Sequence, residues 1–446
     1  MTNDLSKTIK SSFEEYRTEL FSLLSQPSIS ATGEGVEECA IKVLDMIESR
    51  DFTETSLIET ETYPLIYSSR VIDESLPTIL FYGHYDVQPP GDSAQWESPP
   101  FKPTIRDNSI YARGSGDNKG QFTTHIFAVD ALDAGSECLS VNIKLLIEGG
   151  EENGSRGLVG YLQNDPSELE DVDLVYVSDG PMHASRRPTI IYGNRGNLKF
   201  ELELKTADMD LHSGNYGGPN PNAANELVEA LSSLFEGDQV TIDKFYNDIS
   251  ISETAKELAT NLPVDQELLK KETGVREFIT DKNYYERLLL EPTLTINGIH
   301  AGYGGEGSKT IIPHRASAKL DCRLVPNQDP ERVFDRIVEA VHKQNPNIVV
   351  SKKGSFPPVQ TPFDNPYADR IKSAQRAAWG LEPVEMPLMG GSLPAGYFRN
   401  ELALPVLVVP YANPDEGNHS PNEHLDLDCF QNGIRTTAEF LRRFDK

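Results

Sequence analysis

Five short motifs set carboxylates or imidazoles beside glycine or another small residue. They are Gly83-His84-Tyr85-Asp86, Gly116-Asp117-Asn118-Lys119-Gly120, Glu148-Gly149-Gly150-Glu151-Glu152, Ser178-Asp179-Gly180 and Asn418-His419-Ser420. Together they offer enough nitrogen and oxygen donors for two zinc-like divalent cations, with one carboxylate left over for proton transfer. A two-ion centre needs a bridging carboxylate, and Asp117 is the candidate, because Gly114, Gly116 and Gly120 let the backbone bend tightly around it. His84 and Asp179 are expected on one ion, Glu152 and His419 on the other. Asp86, two residues from His84, is expected to accept the second ring N–H and so set the tautomer. Glu151 and Glu152 are neighbours that must diverge as a strand runs out into Asn153-Gly154-Ser155. Glu152 would then bind metal, while Glu151 takes the proton of a water held between the ions and passes it to a leaving amine. A lone His-x-Asp or Glu-Glu pair is ordinarily solvated surface, but five such motifs in order point to hydrolysis. His125, His183, His300, His314, His342 and His424 lack a neighbouring carboxylate at a strand end and are read as packing or surface residues.

The elements that must position these groups are legible as hydrophobic patterns. Ile9, Phe13, Tyr16, Leu20, Leu23 and Leu24 recur at helical spacing up to Pro27, and a second amphipathic helix spans about 36–47. Strands are expected at 77–82, 141–147 and 174–177, with a helix over 121–132 between the first two. That order implies a mostly parallel sheet covered by helices, whose functional groups sit beyond the carboxyl ends of the strands. His84, Glu151, Glu152 and Asp179 fall there. After about residue 190 the pattern changes. Leu198, Phe200, Leu202 and Leu204 alternate with charged residues, as do Ala316, Ala318, Leu320, Cys322 and Leu324 with polar ones, and helices are expected over 223–235 and 331–344. This reads as an antiparallel α+β unit. A helix at 369–379, a strand at 404–409 and a helix at 427–444 return to α/β character. The expected architecture is a catalytic α/β domain (1–190 and 357–446) interrupted by an inserted α+β domain (191–356).

Composition narrows the partners. At 446 residues, two domains are the default. The net charge of -28 argues against nucleic acid and against anionic membranes. Cys39, Cys138, Cys322 and Cys429 are scattered without CxxC spacing, which argues against thiolate zinc sites and a disulfide framework. The start, Met1-Thr2-Asn3-Asp4, has no secretory apolar region, and no apolar run approaches about 20 residues. A cytoplasmic protein is expected. No G-x-S-x-G nucleophile motif is present, and a scaffold without activity would have no use for Glu151.

The segments Gly83-His84-Tyr85-Asp86-Val87-Gln88-Pro89, Ala112-Arg113-Gly114-Ser115-Gly116-Asp117-Asn118-Lys119-Gly120 and Glu148 to Ser155 resemble the co-catalytic metallopeptidases related to carnosinase. That family also contains glutamate carboxypeptidases, acetylornithine deacetylase and succinyl-diaminopimelate desuccinylase. The resemblance covers nearly the whole chain and is strongest to the cytosolic dipeptidase branch. It implies the same ligand set, Glu151 as general base, a cis peptide after Asp117, and an inserted domain that serves as lid and dimerisation domain. The stretch Asp210-Leu211-His212-Ser213-Gly214 resembles the segment whose histidine polarises the scissile carbonyl, often from a partner subunit, so His212 is a candidate oxyanion donor. Thr310 and Arg323 resemble lid residues that hold the substrate carboxylate, and Gly391 and Ser392 lie in a loop resembling its contact from the other domain. Asp179, rather than glutamate, is usual in the peptidase branches. Asn118 and the stretches 237–290 and 304–307 depart from the family pattern. The implied activity is hydrolysis of the amide bond in dipeptides or peptide-like substrates with a free carboxylate, by a homodimer carrying two divalent ions, zinc first, with manganese or cobalt as alternatives. The rival activity is that of an N-acyl or N-carbamoyl amino-acid deacylase or carboxypeptidase.

Overall fold

The computed structural model describes residues 2–137, 139 and 141–442; Met1, Cys138 and Phe444 lie outside these. Two compact units emerge. The first comprises the described residues of Met1–Gly193, Gln360–Met386 and Tyr397–Lys446, the second Asn194–Val359 and Pro387–Gly396. The chain thus passes between units at 193/194 and 359/360, beside the expected 190/191 and 356/357. One departure is larger: Pro387–Gly396, with Gly391 and Ser392, groups with the second unit. Its ties to Asn194, Arg195 and Arg323, all in the second unit, account for this.

The first unit is built on an eight-stranded sheet. Its order is Glu54–Ile58, Leu65–Arg70, Asn142–Glu148, Thr78–His84, Leu174–Val177, Val406–Val408, Thr189–Ile191, Val384–Met386. The middle is parallel: Asn142–Glu148 and Leu174–Val177 flank Thr78–His84, and Val406–Val408 continues beside Val177. Antiparallel pairs join Leu65–Arg70 to its two neighbours, and Val408 to Ile191. Every residue of Thr78–His84, Asn142–Glu148 and Leu174–Val177 is buried, which is why these runs lack polar alternation. Thr2–Leu24 buries Leu5, Ile9, Tyr16, Leu20, Leu23 and Leu24 along one stripe. Helix Lys119–Ala134 packs between that helix and Leu427–Arg442 and is buried nearly all round, so its sequence carries no clean stripe.

The second unit carries a four-stranded antiparallel sheet ordered Thr293–Ala301, Arg315–Leu324, Gly196–Lys205, Val349–Phe356. One face buries Leu198, Phe200, Leu202, Leu320 and Leu324 against Leu227 and Leu231 of helix Ala223–Ser232 and Val333, Ile337 and Val341 of helix Pro330–Gln344. The unreadable stretch 237–290 contains three short helices, Glu253–Asn261, Gln266–Thr273 and Tyr284–Leu290. Cys39, Cys322 and Cys429 are buried free thiols. Among the described residues no helix is long and apolar enough to cross a membrane.

Candidate metal centre

Strand direction delivers the first three groups. His84 is the last residue of its strand, Asp179 lies two residues past Val177, and Glu151 and Glu152 form a short 3-10 turn three residues past Glu148. The neighbouring strands are parallel, so all of these ends face the same edge of the sheet. Asp117 precedes helix Lys119–Ala134, and His419 comes from the loop before the C-terminal helix.

The donors converge in two sets that share one residue. His84, Asp117 and Asp179 form the first, Asp117, Glu152 and His419 the second, each with one ligand atom per residue within 4.8 Å of the others. His84 Nε2 lies 3.1 Å from Asp117 Oδ1 and 3.6 Å from Asp179 Oδ2. His419 Nε2 lies 3.1 Å from both Asp117 Oδ2 and Glu152 Oε2. Asp117 therefore presents one oxygen to each set. His84 Nε2 is buried and aligned with neither carboxylate for a good hydrogen bond, which suits a lone pair aimed at a cation more than an N–H aimed at an acceptor. Mixed imidazole and carboxylate donors without sulfur fit zinc or manganese.

Charge crowding supports the same reading. Burial disfavours a charge on His84, yet Asp117, Asp179 and Asp86 hold its pKa well above that of free imidazole. Asp117 and Glu152 push His419 up to about 10. Asp117 itself is held low despite burial, by His419 and His84. Burial, followed by Asp117, raises Glu152. Glu151 belongs to neither donor set; burial raises it well above the usual carboxylate range, and His84, Glu152, Asp179 and Glu148 are the charges acting on it. Without a cation the two imidazoles hold protons and Glu151 and Glu152 resist ionising, a shortage of positive charge that divalent ions would relieve.

Asp86 stands beside both His84 and the Glu151–Glu152 turn. The nearest acceptor to His84 Nδ1 is the Asp86 backbone oxygen at 3.0 Å, with the carboxylate Oδ1 at 3.4 Å. The carboxylate also accepts the backbone N–H groups of Glu151 and Glu152, each at 3.1 Å, and so fixes the turn that carries those two side chains.

Several supporting residues escaped the sequence reading. Glu423, fully buried, accepts N–H groups from Gly114 (3.1 Å), Gly116 and Asp117 (3.0 Å each) and a bond from Arg113 Nη1 (2.7 Å). It fastens the loop that carries Asp117, the residue common to both donor sets. Asn118, the departure from the family pattern, follows the cis Asp117–Asn118 peptide and links two strand ends, accepting from His84 N and donating to Ser178 O. Gly83 admits its carbonyl, since a Cβ there would lie 2.9 Å from Asn118 Oδ1 and 2.6 Å from Phe122 Cβ. Gln121 donates to Gly116 O and Gly180 O while accepting from Tyr411 N and Ala412 N. Gln88 donates to Glu152 Oε2 at 2.9 Å. Lys119, buried, donates to Leu23 O and Gln26 O at the end of the first helix, which has no basic residue in its own last turn. A buried glutamate such as Glu423 reads like surface charge in a sequence. Gln121 did carry a signal: an amide within a helix rich in apolar residues needs partners once buried. His419 carried one in the structure, a positive φ of 58° at a non-glycine residue.

The substrate-side candidates all lie in the second unit. His212 pairs with Ile311 across a two-residue ladder, and Ser213 N donates to Thr310 O, so His212 and Thr310 are neighbours. His212 Nδ1 accepts from Gly214 N at 3.0 Å, which leaves Nε2 as the N–H donor on an exposed ring. Arg323 Nη1 donates to Ser392 Oγ at 3.0 Å, next to Gly391. The remaining histidines pack or sit at the surface: His125 stacks on Phe81 and bonds Thr437, His424 stacks on Tyr111, and His314 bonds Asp210.

A mixed α/β unit with two donor sets that could each hold a metal ion, sharing one carboxylate at its strand ends, has the make-up of a metal-dependent hydrolase. Residues 80–443 match the model of peptidase family M20/M25/M40, and the chain belongs to that family. It is 31% identical over 402 residues to the Beta-Ala-His dipeptidase of Mus musculus, covering 86% of this chain and 80% of that one. It is 29% identical over 401 residues to the Cys-Gly metallodipeptidase DUG1 of Saccharomyces cerevisiae, covering 86% and 82%. Among solved structures, the M20 family metallo-carboxypeptidase Sso-CP2 from Sulfolobus solfataricus superimposes with a TM-score of 0.91 at 35% identity, covering 96% of this chain and 98% of that one. The family resemblance and the α/β architecture read from the sequence both hold.

Proposed function

We propose that the protein is a two-metal dipeptidase that hydrolyses the amide bond of dipeptides or short peptide-like substrates bearing a free carboxylate. The observation that carries this reading is Asp117, whose two oxygens face separate donor sets, His84 with Asp179 and Glu152 with His419. When bound, two ions would supply Lewis acidity and a water acidified towards pH ~7. The chain's own groups do the rest. Glu151, unattached to either set and raised by burial, is the group to accept a proton and return it to the departing amine. Its turn is held by Asp86. His212, with Nε2–H as donor, is assigned to the carbonyl oxygen on which charge develops. Thr310, Arg323, Gly391 and Ser392 are assigned to the substrate carboxylate. Zinc is the proposed metal, with manganese or cobalt next; a homodimer in the cytoplasm is the proposed state.

A second reading has its own support: the structural relative at 35% identity, Sso-CP2, is a metallo-carboxypeptidase. Amino-acid release separates the two. Zinc-loaded protein and a chelated control are assayed with β-alanyl-histidine, cysteinylglycine, N-acetyl amino acids and N-carbamoyl amino acids. Turnover confined to free dipeptides supports the dipeptidase; turnover confined to blocked amino acids moves the protein to the deacylase or carboxypeptidase class.

A further inference from the structure

Arg195 occupies an unusual place in the second unit. Gly196 pairs with Leu324 and Asn197 with Arg323. Alternation therefore turns Asn197, Arg323 and Asp321 away from the core face, and Arg195, one residue before the strand, follows the same side. The segment Pro387–Gly396 is tied to it there. Arg195 N donates to Met389 O at 3.2 Å, and its Nε and Nη2 share Gly390 O at 3.1 and 3.0 Å. Two residues on, Ser392 accepts from Arg323. Two guanidinium groups thus hold the two ends of Gly390-Gly391-Ser392.

The charge balance around this loop is lopsided. Arg195 is 5% exposed, and its Nη1 is buried without a hydrogen-bond partner among the described residues. Asp321 is the acid that acts on it, against Arg323 and Arg287; Arg287 already faces Glu291 at 3.4 Å. Burial, then Arg323, pulls the Arg195 pKa down to about 10. A tie to one carbonyl needs no cation, and an apolar side chain would avoid the desolvation. What a buried cation adds is a positive potential at the loop, felt strongly because the surroundings are dry.

We propose that Arg195 is a positioning residue for carboxylate recognition: it clamps the Gly390 carbonyl so that Gly391, Ser392 and Arg323 keep one geometry, and it supplies the second positive charge of that subsite. This rests on the carboxylate role assigned above to Arg323, Gly391 and Ser392. It restricts the substrates to amides whose leaving residue ends in a free carboxylate, dipeptides and N-acyl amino acids alike, and disfavours those ending in an amide.

The test compares Arg195→Lys, Arg195→Met and wild type, zinc-loaded, on β-alanyl-histidine and cysteinylglycine and on the C-terminal amide of each. Binding is read separately by calorimetry with the same acid and amide pairs and N-acetylhistidine, in a Glu151→Gln background. For Arg195→Met, KM for the free acids is expected to rise about tenfold to a hundredfold, the range for a lost interaction with a charged group. KM for the amides should change far less, and kcat should fall less than KM rises. Arg195→Lys, which keeps the charge but loses the fork, should recover part of the acid preference. Unchanged acid-to-amide ratios in both variants, or equal losses on acid and amide, would reduce Arg195 to a structural tie and overturn the proposal. Wild type that binds acid and amide equally would overturn it as well. Absent turnover of dipeptides with preserved preference for binding acids would instead sink the dipeptidase reading and leave Arg195 in place.

Discussion

Glu151 and Glu152 are adjacent and chemically identical, and what separates them is geometry. Glu152 Oε2 takes both His419 and Gln88, whereas Glu151 stands apart from both donor sets. Glu151→Gln is accordingly expected to lower kcat by about 10³-fold or more with two metals still bound per chain, measured by steady-state kinetics and atomic absorption. Loss of an ion from that variant would make Glu151 a ligand. Glu423 offers a second residue-level test. Its carboxylate compensates the buried Arg113 and collects three backbone N–H groups, so Glu423→Gln leaves a buried cation poorly matched. The expected cost is on the order of 3–5 kcal/mol in urea denaturation of the chelated protein, together with weaker zinc binding in a calorimetric titration. A variant as stable as wild type, with unaltered zinc affinity, would show that the loop around Asp117 holds its shape unaided.

At the scale of elements, helix Lys119–Ala134 links the centre to the core. Its first residues brace Asp117, Asn118 and the first helix, and one turn on it buries His125 against Phe81 with Thr437 as hydrogen-bond partner. Burial drops the His125 pKa from 6.5 to about 3. The folded protein therefore refuses a proton that the unfolded chain accepts, and stability falls as pH drops from about 6.5 towards 3 and is unaffected by this group above that window. Over it the slope contributed by His125 approaches 1.4 kcal/mol per pH unit, the value for one proton. His125→Phe is expected to flatten the acid side of the stability-pH curve by about that slope, read from denaturant midpoints across the window. An identical slope would mean that the imidazole titrates normally. The element boundaries were legible in outline because packing stripes set them. This helix was harder, since burial on all sides erases periodicity, while the strand expected at 404–409 is regular over Val406–Val408, with Pro405 O and Val409 N continuing its bonds to Val175 and Val177.

For the whole molecule, the decisive quantity is charge. The chain carries a net -28, and its centre gathers Asp117, Glu151, Glu152 and Asp179, with the buried Glu416 and Glu423 nearby. Bound cations would relieve part of that repulsion. Chelation should lower the unfolding temperature by several degrees, since each site held at 100 times its Kd adds about 2.7 kcal/mol. Zinc should restore it, and added salt should raise the chelated protein's midpoint by screening. Calorimetric scans with and without chelator check this; coincident scans would rule out tightly bound ions.

Residue types and local order were enough to nominate the donors. Imidazoles and carboxylates beside glycine at the ends of apolar strands are local features, so proposing His84, Asp117, Glu152, Asp179 and His419 as donors needed no coordinates, nor did the α/β class and the family resemblance. The tertiary structure decided what depends on contacts distant in sequence. It brought His419 to Asp117 across more than 300 residues of sequence, turned the Asp86 carboxylate to the Glu151–Glu152 turn, and grouped Gly391 and Ser392 with Arg323. It also buried Glu423 beneath the ligand loop. A charged side chain's sequence neighbours do not reveal whether it will be solvated or paired in the interior, because that choice is made by chain segments brought together only on folding.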